Sequence, residues 1–197
     1  MSPFRSGNGA AWLDLLSTLE GRYRAQQFNT IGTTGQLRAW LRANDLEPRA
    51  AVTVADVERV AEARECLHRL AVARIEDCTP AAADVRLLNR LLDGDQGLRV
   101  TGPDLRPRRP VNVDDALARL ARQAVVDLSG HGAGTLRACG DDTCSSIFLD
   151  TTGRRRWCTD LSCGNRARVR AHRRRESGPA AQAPGSRGTS SSPLRRR

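Results

Sequence analysis

The chain has 197 residues and a formal net charge of +10, and each of its 32 basic residues is an arginine. This length allows one domain, or one domain with a small additional module. No stretch approaches the roughly 20 consecutive apolar residues of a membrane-spanning helix, and the N-terminus lacks a signal-peptide pattern. We therefore expect a cytoplasmic protein that does not contact the membrane.

The positive charge is concentrated at the C-terminal end of the chain. Residues 1–136 hold 18 arginines and 17 acidic residues, whereas residues 137–197 hold 14 arginines and 5 acidic residues, a net charge of +9. A basic end on a nearly neutral body suggests a polyanionic partner, with nucleic acid favoured over a membrane surface. A solvated tail that keeps the protein in solution explains the same charge.

The first part of the chain has the apolar spacing of helices. The pattern predicts a helix over residues 10–27 and a shorter one after Thr34. Thr53, followed three residues later by Asp56, is a typical N-cap pair. The helix that it begins is predicted to end near Cys78.

The helical pattern continues to about residue 128. Thr79-Pro80 predicts a helix start, because proline at the first helical position loses no hydrogen bond, and Gly94 follows the end of that helix. Residues 97–113 contain glycine and proline and predict a short strand pair. Asp114 or Asp115 begins the last helix of this part, and residues 130–134 are typical of a linker.

The remaining residues differ from this helical part. Ile147-Phe148-Leu149 predicts a strand, Thr152-Gly153 a turn and Arg156-Trp157-Cys158 a returning strand, and the composition becomes helical from Cys163. The last 21 residues have too few bulky apolar side chains to form a core and are expected to be disordered.

The predicted fold class is mainly α. We expect a helical N-terminal domain at 1–132, a small β-hairpin-plus-helix module at 136–176 and a disordered basic tail at 177–197.

Four of the six cysteines form two pairs of identical spacing. Cys139 and Cys144 enclose four residues, as do Cys158 and Cys163, and thirteen residues separate the pairs. Two such pairs that bracket a predicted hairpin are typical of a structural Zn²⁺ site, in which four thiolates leave no position for water. Zinc would supply on the order of 10 kcal/mol of folding free energy to a segment too small to fold alone. The alternatives are two disulfides, which the cytoplasmic expectation disfavours, or four unrelated thiols.

The other candidate reactive residues do not suggest an enzyme. Cys66 and Cys78 lie in helical segments and are expected to be small buried apolar groups. His131 lies in the glycine-rich linker, where no nucleophile accompanies it. The sequence contains no phosphate-binding loop motif. We therefore predict that the protein is not an enzyme.

The second cysteine pair carries a family signature. Cys163-Gly164-Asn165-Arg166, together with Phe148-Leu149-Asp150 and Arg155-Arg156-Trp157-Cys158, resembles the CGNR zinc finger over residues 136–175. The N-terminal part resembles the helical ABATE domain that precedes this finger, at residues 13–18 and 37–41. The family is described as stress-induced transcriptional regulators, so the resemblance implies zinc binding and DNA binding.

The basic residues of the finger are the candidate nucleic-acid contacts. A helix of about 13 residues after Cys163 would be about 20 Å long, enough to lie in a major groove. Its arginines form two neighbouring stripes, Arg166, Arg170 and Arg173 or Arg174 on one, and Arg168, His172 and Arg175 on the other. Arg154, Arg155 and Arg156 are expected to add contacts to the phosphate backbone. Asn165 and Arg166, close to Cys163, either reach the nucleic acid or orient the zinc ligands and the turn, and the second role is favoured for Asn165. Trp157, next to Cys158, is expected to pack beside the zinc site rather than to stack on a base.

The predicted function is zinc-dependent DNA binding in transcription control, and RNA stays open as the nucleic acid. The alternative is an adaptor or ligand-sensing regulatory protein whose finger docks a protein or RNA. In either case the helical domain is a candidate receptor for a small-molecule or protein effector, with Trp12 and Trp40 either lining its pocket or packing in the core. A further hypothesis is redox sensing, in which oxidation of the thiolates releases the metal.

Overall fold

The computed structural model describes residues 4–94, 97, 100–101 and 106–176. These residues form six α-helices, which are α1 (Ala11–Leu16), α2 (Thr34–Ala43), α3 (Val54–Ile75), α4 (Ala82–Asp93), α5 (Val113–Leu128) and α6 (Asn165–Glu176). The mainly α fold class is thus confirmed. The predicted disordered tail at 177–197 lies outside the described residues. Among the described residues, no helix is long and apolar enough to cross a membrane.

Within the described residues, the strands are short and pair as three antiparallel ladders. β1 (Leu19–Glu20) pairs with β2 (Phe28–Asn29), and β3 (Val100–Thr101) pairs with β4 (Arg106–Pro107). The second ladder confirms the strand pair predicted within residues 97–113. The third ladder, β5 (Thr135–Ala138) with β6 (Ile147–Asp150), belongs to the C-terminal module.

Local capping explains where the two best-predicted helices begin. Thr53 and Asp56 form the predicted reciprocal cap of α3, in which Asp56 N donates to Thr53 Oγ1 at 3.3 Å and Thr53 N donates to Asp56 Oδ2 at 2.7 Å. Thr33 and Gln36 cap α2 in the same way. A cap of this kind stabilises a helix by about 1 kcal/mol.

The predicted helix over residues 10–27 is wrong, because α1 ends at Leu16. The Thr18 hydroxyl donates to Leu15 O at 2.7 Å and occupies a carbonyl at the helix end. Gly21 then has φ +66°, and a Cβ there would lie 2.6 Å from Gln26 O, so the chain makes a tight turn between β1 and β2.

Other predicted helix ends shift by a few residues. α4 begins at Ala82 rather than at Pro80, because Ala81 is extended and its carbonyl accepts the first helical hydrogen bonds, from Asp84 N and Val85 N. α5 begins at Val113, one or two residues before the predicted start at Asp114 or Asp115, with Asn112 as its cap.

One core joins the helical body to the C-terminal module. The side chains of Trp12 and Trp40 are fully buried in it, so both pack in the core and neither lines an open pocket. Leu136, Ile147 and Leu149 of the β5–β6 ladder belong to the same cluster. The division at residues 132–136 therefore stays a prediction, and a shared core crosses it.

The pairing of β6 corrects the predicted hairpin. β6 confirms the strand predicted at 147–149, but its partner is β5, with Leu136 opposite Leu149. The returning strand predicted at Arg156-Trp157-Cys158 is wrong. β5 takes that place because Leu136 reaches the shared core, whereas residues 156–158 form a loop against the first cysteine pair.

Candidate metal centre and nucleic-acid interface

The first cysteine pair lies in the connection between β5 and β6. Cys139 directly follows β5, and its N–H donates to Ser146 O at 2.9 Å, while Cys144 N donates to Asp141 O at 2.8 Å. These hydrogen bonds fold residues 139–146 into a compact loop, here called the first knuckle. Both sulfurs of the pair are thereby turned to the same side.

A glycine brings the second pair against this knuckle. Gly140 N donates to Arg156 O at 2.8 Å, and a Cβ on Gly140 would lie 3.0 Å from that carbonyl oxygen. A side chain at this position would require the two backbones to move apart by a few tenths of an ångström. Cys158 N then donates to Cys139 Sγ at 3.4 Å, which links the two pairs directly.

The second knuckle, residues 158–164, ends in a π-helical turn (Asp160–Gly164) that leads into α6. Thr159 caps this turn, because its side chain accepts from Ser162 N at 3.4 Å. A Cβ on Gly164 would lie 2.8 Å from Asp160 Oδ1 and 3.5 Å from the Trp157 ring. Trp157 thus packs against the turn beside Cys158, a position that suits support of the zinc site.

The four sulfurs converge on one point. All lie within 4.8 Å of one another, with 3.7 Å between Cys144 and Cys158 and 3.5 Å between Cys158 and Cys163. Sulfurs about 2.3 Å from a tetrahedral zinc ion would be about 3.8 Å apart, whereas a disulfide is about 2.05 Å long. The cysteines are free thiols positioned to bind one Zn²⁺, as predicted, and the disulfide alternative is wrong.

The ionisation of the four thiols is also consistent with a bound cation. Burial raises the pKa of the Cys163 thiol to about 11, and hydrogen bonding with Cys139 and Cys144 raises the pKa of Cys158. The pKa of Cys144 is lowered by hydrogen bonds from Cys139 and Cys158. Four neighbouring thiols therefore do not ionise together on their own. A bound dication would hold all four as thiolates.

A buried carboxylate joins the metal centre to α6. Asp141, fully buried in the first knuckle, accepts from Arg166 Nε at 2.8 Å, Arg170 Nη2 at 2.5 Å and Thr143 N at 3.1 Å. Although burial alone opposes its charge, the hydrogen bonds from Arg170, Thr143 and Arg166 hold the pKa of Asp141 well below its usual range. Arg166 Nη2 also donates to Cys163 Sγ at 2.9 Å.

Arg155 is committed to internal contacts. Its guanidinium lies 4.4 Å from the centroid of the Phe148 ring. It donates to the carbonyls of Trp157 at 3.1 Å, of Gly7 at 3.0 Å and of Cys158. This side chain thus fastens the second knuckle to the N-terminal segment.

Two neighbouring family models match the sequence in the order that the fold shows. Residues 9–132 match ABATE, described as a putative stress-induced transcription regulator, and residues 135–176 match the CGNR zinc finger. The chain belongs to this family of ABATE and CGNR zinc-finger proteins. Both matches are to regulator and zinc-finger families rather than to enzyme families. No curated protein matches the sequence.

The CGNR signature has a structural reason at each position. Cys163 belongs to the cluster positioned to bind zinc, Gly164 allows the close turn, and Arg166 donates a hydrogen bond to the Cys163 sulfur. Asn165 Nδ2 donates to Leu161 O at 2.9 Å, and its Oδ1 accepts from Arg168 Nη2 at 2.7 Å. Asn165 thus braces the second knuckle against α6, a placement that suits the supporting role expected of it.

The arginines expected to bind nucleic acid divide into two groups. Arg155, Arg166 and Arg170 are held by carbonyls, a ligand sulfur and Asp141. A second group is exposed on the CGNR finger, although Arg168 of this group also bonds Asp160 O and Asn165 Oδ1. It consists of Arg154, Arg156, Arg168, Arg173 and Arg174. The sequence did not distinguish the groups, since the contacts of the first depend on the fold.

Asp141 is the residue that sequence reasoning missed. The sequence signal for this residue was two consecutive aspartates, Asp141 and Asp142, between Cys139 and Cys144 in a segment rich in arginine. Of the two cysteines outside the centre, one differs from expectation. Cys66 is buried as expected, with its Sγ 3.4 Å from Asp84 O, whereas Cys78 is exposed, because α3 ends at Ile75.

Proposed function

We propose that this chain is a zinc-dependent DNA-binding transcription regulator that contacts nucleic acid through the exposed arginines of its finger. The five arginines of this interface are Arg154, Arg156, Arg168, Arg173 and Arg174. Arg168 lies on one side of α6, and Arg173 and Arg174 continue the stripe of Arg166 and Arg170 on the other. The two stripes are therefore opposite rather than neighbouring and could contact phosphates on both sides of a groove. The supporting observation is the orientation of α6, whose first turns are fixed on one side by Asp141 and carry Arg168 on the other.

The anchoring contacts define the two sides of α6. Arg166 and Arg170, four residues apart, both bond Asp141 in the first knuckle. Arg168 lies between them in sequence and therefore about 200° around the helix. The helix is thus held rigidly by two of its arginines and presents a third to solvent, which lowers the entropy cost of binding a polyanion.

The loop of the second knuckle extends this basic surface. The Arg156 guanidinium lies 5.4 Å from the centroid of the Trp157 ring, and Arg168 Nη2 lies 3.4 Å from Asp160 O. Arg156 and Arg168 therefore border the same loop. The twelve residues of α6 give a rod about 18 Å long, and a helix about 10–12 Å in diameter with its side chains fits a major groove about 12 Å wide.

The charge of the finger remains positive with zinc bound. Residues 135–176 hold ten arginines and five acidic residues, a net charge of +5. A zinc ion with four thiolates contributes −2, which leaves about +3. This charge supports binding to phosphates, and it favours DNA and RNA alike.

The test is the salt dependence of duplex binding by the zinc-loaded chain, measured by fluorescence anisotropy between about 50 and 200 mM salt. Five phosphate contacts predict a slope of log K against log salt near −4.5. Arg168→Ala is expected to reduce this slope by about 0.9. Arg86→Ala, which removes an exposed arginine of α4, is the matched control and should leave the slope unchanged. A slope near zero for the wild type contradicts the proposal. Tighter binding of single-stranded or duplex RNA than of duplex DNA would identify RNA as the ligand instead.

A protein-docking finger is the second candidate. Leu161 is 88% exposed on the second knuckle, and Val169 is 49% exposed on α6. Exposed apolar side chains beside arginines are typical of protein interfaces. Absence of any duplex binding at low salt would favour this adaptor function.

A further inference from the structure

The four zinc ligands differ in their access to solvent. Cys139, Cys158 and Cys163 are buried, with at most 9% of each residue exposed, whereas Cys144 is only partly buried. Cys144 also lines an open cavity of about 150 Å³ between the first knuckle and the turn that follows β1. A water molecule occupies about 30 Å³ in the liquid, so this cavity has room for a small polar molecule beside the ligand.

The walls of the cavity are polar and come from both parts of the fold. Arg5, Glu20 and Arg24 belong to the body, and Ser145 and Arg166 belong to the finger. Arg24 Nη2 donates to Thr143 O at 2.9 Å and so connects the two sides. The acidic groups at this junction, Glu20, Asp141 and the thiolates themselves, offset the arginines, so the cavity suits an uncharged polar molecule better than an anion.

We propose that Cys144 is the oxidation site of the finger and that a hydroperoxide reaches it through this cavity. In the first step the Cys144 thiolate attacks one peroxide oxygen, an S–O bond forms and the O–O bond breaks, and the leaving group is hydroxide from hydrogen peroxide or alkoxide from an organic hydroperoxide. In the second step the Cys158 sulfur attacks the resulting sulfenic acid, an S–S bond forms, the S–O bond breaks and hydroxide leaves. The two thiolates lose two electrons together, and the peroxide gains them.

The geometry supports both steps. The sulfurs of Cys144 and Cys158 are 3.7 Å apart, so they need to approach by about 1.7 Å to reach disulfide length. Guanidinium groups such as that of Arg166, on the cavity wall, favour negative charge on a departing oxygen. A disulfide removes two of the four ligands, and the remaining Cys139 and Cys163 no longer form a closed site.

Oxidation of Cys144 would regulate the finger, a property that goes beyond the proposed function. Oxidation would release the metal and unfold the centre that holds α6. The oxidation concerns the zinc centre alone, so it is tested without DNA. Its outcome is therefore independent of whether the chain binds nucleic acid.

The experiment treats the zinc-loaded full chain with up to one equivalent of hydrogen peroxide and follows zinc release with a chromogenic chelator. Mass spectrometry after alkylation maps the oxidised cysteines. Cleavage after arginine places Cys139 and Cys144 on the peptide 138–154 and Cys158 and Cys163 on the peptide 157–166, and fragmentation assigns the sulfurs. We expect zinc release to follow oxidation of Cys144 and the two peptides to be linked between Cys144 and Cys158.

Two variants sharpen this test. Ser145→Leu narrows the cavity without changing a ligand and is expected to slow zinc release several-fold at equal initial zinc content. Cys78→Ser removes an exposed thiol outside the centre and is expected to leave release unchanged. The proposal is overturned if a buried ligand is oxidised before Cys144, if zinc leaves while Cys144 stays reduced, or if peroxide modifies Cys78 and the centre keeps its zinc. Because the mapping on the wild-type chain decides these outcomes, the test does not depend on how well Ser145→Leu folds.

Discussion

Asp141→Asn tests whether the buried carboxylate, rather than the cysteines alone, holds the finger together. The wild-type carboxylate accepts hydrogen bonds from Arg166, Arg170 and Thr143, and an amide retains one acceptor oxygen while turning N–H groups toward a guanidinium. Breaking a buried ion pair costs about 3–5 kcal/mol. The side chains of Arg166 and Arg170 are 44% and 32% exposed, so water solvates them again and the expected loss is about 2 kcal/mol.

The assay for this variant is zinc affinity, because the site folds as it binds the metal. A loss of about 2 kcal/mol corresponds to an affinity about 30-fold lower in competition with a chelator at fixed pH. Asp142→Asn is the matched control, since Asp142 is 69% exposed and pairs only with Arg170 among the described residues, at 3.0 Å. An exposed pair contributes at most about 1 kcal/mol, so the control should change affinity by less than about fivefold. Equal zinc affinities of the two variants would refute the structural role of Asp141.

Two further predictions concern the helical body and its contact with the finger. Gly9 has φ +103° and a Cβ there would lie 2.8 Å from Leu149 Cβ, so Gly9→Ala is expected to lower the free energy of unfolding in urea by about 1–3 kcal/mol. Gly35→Ala, in the first turn of α2 with nothing within 4 Å of its Cβ, is the control and should not destabilise; an equal loss in both variants would contradict the close packing of Gly9. Burial lowers the pKa of His68 to about 4 from 6.5, so the unfolded chain binds more protons between these values and stability should fall as pH decreases from about 6.5 to 4. Urea unfolding of His68→Gln should show a weaker pH dependence in this window, and an unchanged dependence would assign the effect to other groups.

Features that depend on neighbouring residues could be predicted from the sequence. The cap of α3 needs only Thr53 and Asp56, and the ligand set needs only the spacing within each cysteine pair. The helix start after Cys163 could be predicted for the same reason, because Gly164 and Asn165 lie at the turn where the helix begins. These interactions join residues three to five positions apart, which are close in space because they are close in sequence.

Features that depend on distant contacts could not be predicted. Arg166 and Arg170 have the spacing of a nucleic-acid stripe, and only the approach of the first knuckle shows that they bond Asp141. β5 has a single bulky apolar residue, Leu136, whose role comes from the core that it enters. The end of α1 was missed for a similar reason, because its apolar pattern extends beyond Leu16 while the turn at Gly21 reverses the chain.

Reversible metal removal tests most directly the proposal that one zinc ion holds the basic helix in a DNA-binding form. Duplex binding is measured on one sample of the full chain as loaded, after chelation under reducing conditions, and after zinc is restored. We expect duplex binding to be lost when the metal is removed and to return when zinc is restored. Equal duplex affinity in the zinc-free and zinc-loaded states would contradict it.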